Sequence, residues 1–251
     1  MIRIFCIIIC FAFSTITYGQ VKDLKDSVIT IPLFTGSYAV QIPGGDMADR
    51  FGINSNTGVS FLLKFRSNWL IGAEGYFLFG NDVREDGILD SIKTSNGEII
   101  NKYGEFAAYI ISERGFFIGG TGGKIIPVIG PNRNSGIIMT LSGGLLQHKI
   151  RIDNDSNNAP QILGDYKKGY DRLTNGICIK EFIGYMHFGN KNAMNFYAGF
   201  EFYQGFTKNR RTYNFDTMGR DDRKRTDLLY SFRAGWIIPI YKRATDREYY
   251  F

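Results

Sequence analysis

The side chains of residues 194–207 alternate between an almost wholly apolar set and a polar set. The apolar set consists of Met194, Phe196, Ala198, Phe200, Phe202, Gln204 and Phe206. Because side chains alternate across a β-strand, this pattern predicts a strand with one apolar face. It continues for fourteen residues, which is longer than a typical soluble strand and long enough to cross a bilayer at a tilt. Transmembrane strands turn such a face to lipid, so the segment favours a membrane barrel.

The first 19 residues have the features of a secretory signal peptide. Arg3 supplies the positive charge, residues 4–13 form an unbroken apolar run, and Gly19 is a small residue at the predicted cleavage site. The apolar run is too short to cross a membrane as a helix. An exported chain is an implausible partner for nucleic acid, and the formal net charge of +6 is mild and spread along the sequence.

After residue 19 no apolar run approaches the length of a membrane helix. A membrane location therefore requires a closed barrel, because only helices and closed barrels satisfy the backbone in lipid. With a secretory signal, the predicted location is the outer membrane of a Gram-negative bacterium, as an integral protein. The mature chain keeps one cysteine, Cys178, which excludes a disulfide framework or a cysteine metal site.

Further β-prone segments complete a predicted set of eight strands. The segments are 27–41, 57–66, 69–81, a stretch within 105–128, 137–151, 175–188, 194–207 and 227–241. The glycine-rich centre of the fourth, residues 119–123, predicts a kink or bulge. The sixth shows a break in phase near Lys180 and Glu181.

The connections between these segments alternate long and short, starting with a long one. This predicts an all-β fold, an eight-stranded antiparallel transmembrane β-barrel with short periplasmic turns and long extracellular loops. Residues 27–241 form the barrel, with a periplasmic N-terminal segment at 20–26 and a periplasmic C-terminal tail at 242–251. Trp69 and Trp236 fall at the periplasmic level, where girdle aromatics are expected.

Charged residues on the predicted inward face suggest a filled lumen. These residues are Lys64, Glu74, Glu201 and Arg233. An eight-stranded barrel is only wide enough to be filled by side chains, so we expect a mutually neutralising network there. An ion path through the lumen is the alternative.

Catalytic and metal chemistry have little support in the sequence. His148 and His187 fall near opposite ends of their strands, too far apart to share a metal. His148 is a candidate catalytic base in a lipid-modifying barrel, but the sequence contains no Gly-x-Ser-x-Gly elbow. Residues 153–155 resemble the start of a calcium loop without its glycine and closing glutamate. We therefore predict no catalytic residue, no metal site and no cofactor.

The last long loop and the C-terminal tail are the candidate contact surfaces. In the loop, arginines lie beside exposed aromatics in a manner typical of interfaces and of phosphate recognition. The loop candidates are Arg210, Arg211, Tyr213, Phe215, Arg220, Arg223, Lys224 and Arg225. A solvated loop with internal ion pairs is the alternative. The tail candidates are Tyr249, Tyr250 and Phe251, which could serve as an insertion signal, a plug or a docking peptide.

The layout resembles the small outer-membrane β-barrel proteins of the Bacteroidota, the group that includes the PorT-like barrels. The resemblance rests on a signal ending in Gly-Gln, the loop start Pro43-Gly44-Gly45-Asp46, the Asn68-Trp69 hairpin followed by Gly72 and Glu74, and the aromatic C-terminus. It implies the barrel fold and, for some members, a role as an accessory subunit of secretion or assembly machines. It implies no catalytic residue, because the group has no shared catalytic motif that matches here.

The sequence therefore predicts a non-enzymatic outer-membrane barrel that acts through its loops and tail, as an accessory or structural subunit of an envelope complex. Expected partners are outer-membrane lipid including lipopolysaccharide, the barrel-insertion machinery, and other outer-membrane or periplasmic proteins. A lipid-modifying enzyme or a narrow transporter is the alternative function. A soluble periplasmic barrel is a third possibility.

Overall fold

The computed structural model describes residues 28–85, 87–154, 156–190 and 194–240. Within them, eight strands follow in chain order: β1 (Ile31–Gly45), β2 (Asn54–Lys64), β3 (Trp69–Gly80), β4 (Ile110–Ile126), β5 (Gly136–Asp153), β6 (Thr174–Phe188), β7 (Asn195–Asn209) and β8 (Lys224–Pro239). Each strand pairs antiparallel with the next, and β8 pairs with β1, so the sheet closes into a barrel. The predicted fold class is confirmed.

Helical structure in the described residues is limited to 3-10 turns in the long connections, at Asp90–Ile92, Pro160–Ile162 and Gly164–Gly169. None of these helices is long and apolar enough to cross a membrane. The signal peptide, the N-terminal segment and the C-terminal tail predicted from the sequence lie outside the described residues.

The strands are strongly tilted, as the register around the barrel shows. Starting at one β1 residue and stepping from partner to partner gives the path Ile42, Tyr230, Phe202, Glu181, Leu141, Gly122, Ile71, Leu63 and Pro32. The path returns to β1 ten residues from its start. A stagger of this size in an eight-stranded barrel tilts the strands by roughly 45°.

Two local predictions are wrong. β1 extends to Gly45, although Pro43 and the glycines after it were expected to begin a loop. Beyond Gln41, β1 pairs only with β8, because its pairing with β2 has ended. Pro43 therefore lies at a strand edge, where proline is tolerated. The glycines of residues 119–123 do not form a bulge, because β4 keeps an unbroken register with both neighbours.

Buried apolar side chains close the barrel at both ends. The end with the short turns, called the inner end, is filled by Ile31, Leu33, Leu62, Leu70, Ile125, Ile138, Phe182, Met186, Phe188, Tyr197 and Ile237. At the opposite, outer end the long connections fold over the mouth. Their buried residues, including Met47, Phe51, Ile88, Leu89, Ile99, Ile162 and Tyr170, pack with strand residues such as Leu146 and Tyr203.

The outward face of the strands is an exposed apolar belt. Among its most exposed members are Val59, Phe61, Ile71, Phe77, Ile118, Leu141, Ile177, Ile183, Phe200, Phe206 and Phe232. Trp69 and Trp236 lie at the inner ends of their strands and are each 53% exposed. Soluble monomers rarely expose a contiguous apolar patch larger than a few hundred Å². The barrel is therefore apolar outside and charged within.

Candidate functional site

A layer of four buried charges fills the middle of the lumen. The ammonium group of Lys180 lies 2.8 Å from the Glu74 carboxylate and 3.2 Å from that of Glu201. The Nε atom of Arg233 lies 2.7 Å from Glu201. Two cations therefore face two anions, as buried charges require.

Neighbouring polar and aromatic groups complete this layer. The Tyr76 hydroxyl donates to Glu74 at 3.1 Å, and the Arg233 guanidinium lies 3.8 Å from the centre of the Tyr76 ring. Arg233 also donates to Ser37 and Asn56, both at 2.6 Å. The cavity beside Lys180 measures about 30 Å³, enough for one or two water molecules. The layer packs the barrel and leaves no open path through it in the described residues.

Lys64 lies apart from this network. It is buried at the inner end, where its Nζ atom donates to Asn134 at 2.8 Å and to the Ile29 carbonyl at 3.3 Å. Lys180 supplies the second cation instead, a residue that the sequence prediction missed. The predicted break in phase on β6 is absent, since buried and exposed residues alternate from Gly176 to Ile183. Plain period-two alternation through this segment is the pattern that would have placed Lys180 inward.

A second buried polar group lies at the outer end of the lumen. The Nε2 atom of His148 lies 2.8 Å from Asp227, and both side chains are fully buried. Thr207 donates its hydroxyl to the same carboxylate, and the Phe51 ring covers the imidazole edge-on at 5.6 Å. The sequence prediction missed Asp227, which lies on β8 across the lumen from His148.

This group is a poor catalytic site. The second ring nitrogen of His148 has no hydrogen-bond partner among the described residues, so no nucleophile contacts it. The Thr207 hydroxyl donates to the Asp227 carboxylate and not to His148. A general base must reach the proton that it abstracts, and a fully buried imidazole offers no path for a substrate. The arrangement instead joins two strands beneath the loops.

Arg50 anchors the first long loop above this group. It donates to Glu85 at 3.0 Å, to Thr174 at 3.2 Å and to the Arg172 carbonyl at 3.3 Å. Burial lowers the pKa of the Arg50 guanidinium from its ordinary value, and the Glu85 carboxylate opposes that shift. The residue therefore ties three outer connections together.

Most arginines of the last long loop are engaged in contacts inside the protein. Arg211 pairs with Asp171, Arg225 with Asp221, and Arg220 with Asp222. Arg210 donates to Asn175 at 2.6 Å, and Arg223 lies 3.9 Å from Asp46. Burial alone would raise the pKa of Asp221, but the hydrogen bond from Arg225 lowers it. This geometry matches the alternative of a solvated loop with internal ion pairs.

The remaining candidates of that loop differ in exposure. Phe215 packs against Tyr170 with ring centres 5.3 Å apart, whereas Tyr213 is 45% exposed. Lys224 is exposed at the start of β8. The tail candidates Tyr249, Tyr250 and Phe251 lie outside the described residues. Among the described residues, no group of His, Cys, Asp or Glu side chains could hold a metal ion.

The chain matches no protein-family model and no curated protein. Its structure is similar to the crystal structure of Ail, the attachment invasion locus protein of Yersinia pestis, at 7% identity and a TM-score of 0.44, over 84% of this chain and 100% of that one. It is also similar to Neisserial surface protein A, at 10% identity and a TM-score of 0.45, over 82% and 96% of the two chains. The outer membrane protein OprG from Pseudomonas aeruginosa is similar at 10% identity and a TM-score of 0.39, over 86% and 99%.

Proposed function

We propose that this protein is an integral outer-membrane β-barrel without enzymatic activity that serves as an accessory or structural subunit of an envelope complex. The membrane location is supported by the distribution of polarity, which is the reverse of that in a soluble barrel. The apolar belt lies outside and the charges lie inside. Transmembrane barrels alternate apolar-out and polar-in in this way. A soluble barrel would instead expose the charges and bury the aromatics.

The connections support an orientation for the barrel. Long connections lie at one end and short turns at the other, and outer-membrane barrels place the short turns in the periplasm. The outer end with its folded loops is then extracellular. The proposed membership in the Bacteroidota group of PorT-like barrels rests on the sequence resemblance alone.

The sealed lumen argues against the two alternative functions. A transporter needs a path, and the charge layer lies between two apolar clusters that fill the ends of the barrel. A lipid-modifying enzyme needs a reachable base, and His148 is fully buried. What the protein offers to partners is therefore its outside surface.

Lipid phosphate is the partner that the outer rim favours. Lys208 on β7 and Lys224 on β8 are directly opposite each other in the sheet, and both are exposed above the apolar belt. Like charges at opposite positions destabilise a sheet, and a phosphate between them would remove the repulsion. Neither lysine has an ion-pair partner among the described residues, unlike the loop arginines.

Purification of the tagged protein from native membranes in mild detergent tests the subunit role. We expect envelope proteins to co-purify in fixed stoichiometry. A variant with Tyr249, Tyr250 and Phe251 changed to alanine tests whether the tail contacts them. A barrel that carries only lipid under conditions that preserve other envelope complexes would contradict the subunit role.

A further inference from the structure

One charged side chain of the described strands faces outward in the middle of the apolar belt. Glu181 follows the inward Lys180 on β6 and is exposed on the outward face, between Ile179 and Ile183. Its partners in the neighbouring strands are Leu141 and Phe202. A carboxylate therefore stands within the apolar belt, surrounded by aliphatic and aromatic side chains.

Glu181 lies near the middle of the belt. His187 lies six positions from it toward the inner end of β6, and Asn175 lies six positions from it toward the outer end. At a strand rise of about 3.3 Å and a tilt of roughly 45°, each distance corresponds to about 14 Å of depth. Lipid head groups and water lie beyond the reach of a glutamate side chain at that depth.

Within the described part of the chain, no side chain neutralises this carboxylate. Lys180 points to the opposite face and is engaged by Glu74 and Glu201. Glu181 has no hydrogen bond or ion pair with any described residue. Ionisable residues in contact with lipid are costly and rare, and they indicate a function when they occur.

The wall beside Glu181 is also flat. Gly143, Gly120 and Gly122 face outward on β4 and β5, and a Cβ atom added at any of them would meet nothing closer than 3.8 Å. By contrast, a Cβ atom at the inward Gly119 or Gly144 would come within 2.6 Å of a backbone atom. The barrel needs the inward glycines for its own packing, but the outward ones only leave room for another surface.

We propose that Glu181 is the central contact of an intramembrane interface with a different membrane-embedded protein. This interface rests on the proposed membrane location. That partner presents a lysine or arginine at mid-membrane depth, so that the two charges neutralise each other away from water. Charge complementarity identifies the occupant, and the flat wall of β4 and β5 permits its close approach.

A second copy of this chain does not fit the site. Two copies inserted in the same direction keep every residue at its own depth, so Glu181 would need an outward cation at the middle of the belt. The outward cations of the described strands lie at the two rims. They are Lys124 beside Trp69 at the inner rim, and Arg114, Lys149, Arg151, Lys208 and Lys224 at the outer rim.

Site-specific photo-crosslinking in the bacterium that makes the protein tests the interface. The photoreactive residue is placed at Leu141 or Ile183, which flank Glu181, and at Val59 on the opposite wall as the control. These positions are 58%, 51% and 48% exposed. We expect a discrete adduct with one other protein from the first two positions and at least a tenfold weaker one from Val59.

Variants at Glu181 then separate the charge from the shape of the wall. Glu181→Leu should reduce the adduct at least tenfold, whereas Glu181→Asp should retain it. The crosslinked peptide should be membrane-embedded and contain a lysine or arginine. Changing that cation to glutamate together with Glu181→Lys should restore the adduct. Heat-modified gel mobility checks that each variant still folds as a barrel.

Three outcomes overturn the interface while leaving the membrane location intact: adducts with lipid only, adducts with a second copy of the chain, or an adduct that Glu181→Leu does not change. Recovery of the wild-type protein outside the membrane fraction would instead overturn the proposed function, and the interface with it.

Discussion

Lys180 and Glu74 form an ion pair of 2.8 Å across the lumen, although they lie 106 positions apart in the sequence. Both side chains are almost completely buried, at 2% and 5% exposure. With Glu201 and Arg233 they make a neutral layer that closes the centre of the barrel. The seal in the middle of the lumen depends on that layer.

Replacing Lys180 by methionine should destabilise the barrel by about 3–5 kcal/mol, because it leaves Glu74 and Glu201 buried with one cation fewer. Urea unfolding of the protein refolded into lipid vesicles measures the loss. The double variant Lys180→Met with Glu74→Gln should recover much of it. Lys124→Met is the matched control at an exposed position, and an equal loss there would contradict a special role for the buried layer.

The protein should not conduct ions. Because the charge layer and the two apolar clusters fill the lumen, purified protein in a planar bilayer should give no discrete current steps at moderate voltage. A large porin inserted under the same conditions provides the positive control. Reproducible single-channel openings from the wild-type barrel would contradict the sealed lumen and favour the transporter alternative.

Changing His148 to alanine should affect stability rather than lipid chemistry. It removes the hydrogen-bond partner of a buried Asp227 and should cost about 3 kcal/mol, with faster proteolysis of the outer loops. The lipid composition of the envelope should be the same with the variant as with the wild type. His187→Ala, at the inner end of β6, is the control. A change in acylation or phospholipid content specific to the His148 variant would favour the enzyme alternative.

The lysine pair at the outer rim should bind phosphorylated lipid. Changing Lys208 and Lys224 together to glutamine should weaken binding of a phosphorylated glycolipid by roughly tenfold or more, since each cation near an anionic lipid surface contributes about 1 kcal/mol. Native mass spectrometry of the detergent-solubilised protein measures the bound lipid, with the dephosphorylated glycolipid as reference.

Arg211→Gln is the matched control for that experiment, because Arg211 is already paired with Asp171. It should leave lipid binding unchanged and make the outer loop more sensitive to protease. Equal loss of lipid binding in both variants would show that the loop arginines recognise the phosphate.

Period-two alternation explains how much of the fold can be predicted. β3 was expected at residues 69–81 and lies at Trp69–Gly80, because alternating apolar residues follow a tight turn in which Asn68 has a φ of 61°. Alternation also places Lys180 inward and Glu181 outward, provided that its phase is kept through these two adjacent charges. Only the closed barrel shows which inward carboxylates need a buried cation as partner.

Contacts across the lumen and within loops lie outside what alternation can predict. His148 and Asp227 are on β5 and β8, which are not neighbours in the sheet, so no register between paired strands brings them together. The loop arginines could be counted from the sequence, but their carboxylate partners depend on how the long connections fold over the mouth. The sequence therefore leaves both a contact loop and internal ion pairs open, and the structure shows the ion pairs.

Fractionation of the cells that make the protein tests the claim that it is an integral membrane barrel. Membranes are washed with urea and separated by density, and the protein is followed through each step. We expect the protein to stay in the outer-membrane fraction and to leave it only with detergent, because its apolar belt requires lipid. Recovery of the folded protein in the soluble periplasmic fraction without detergent would contradict that claim.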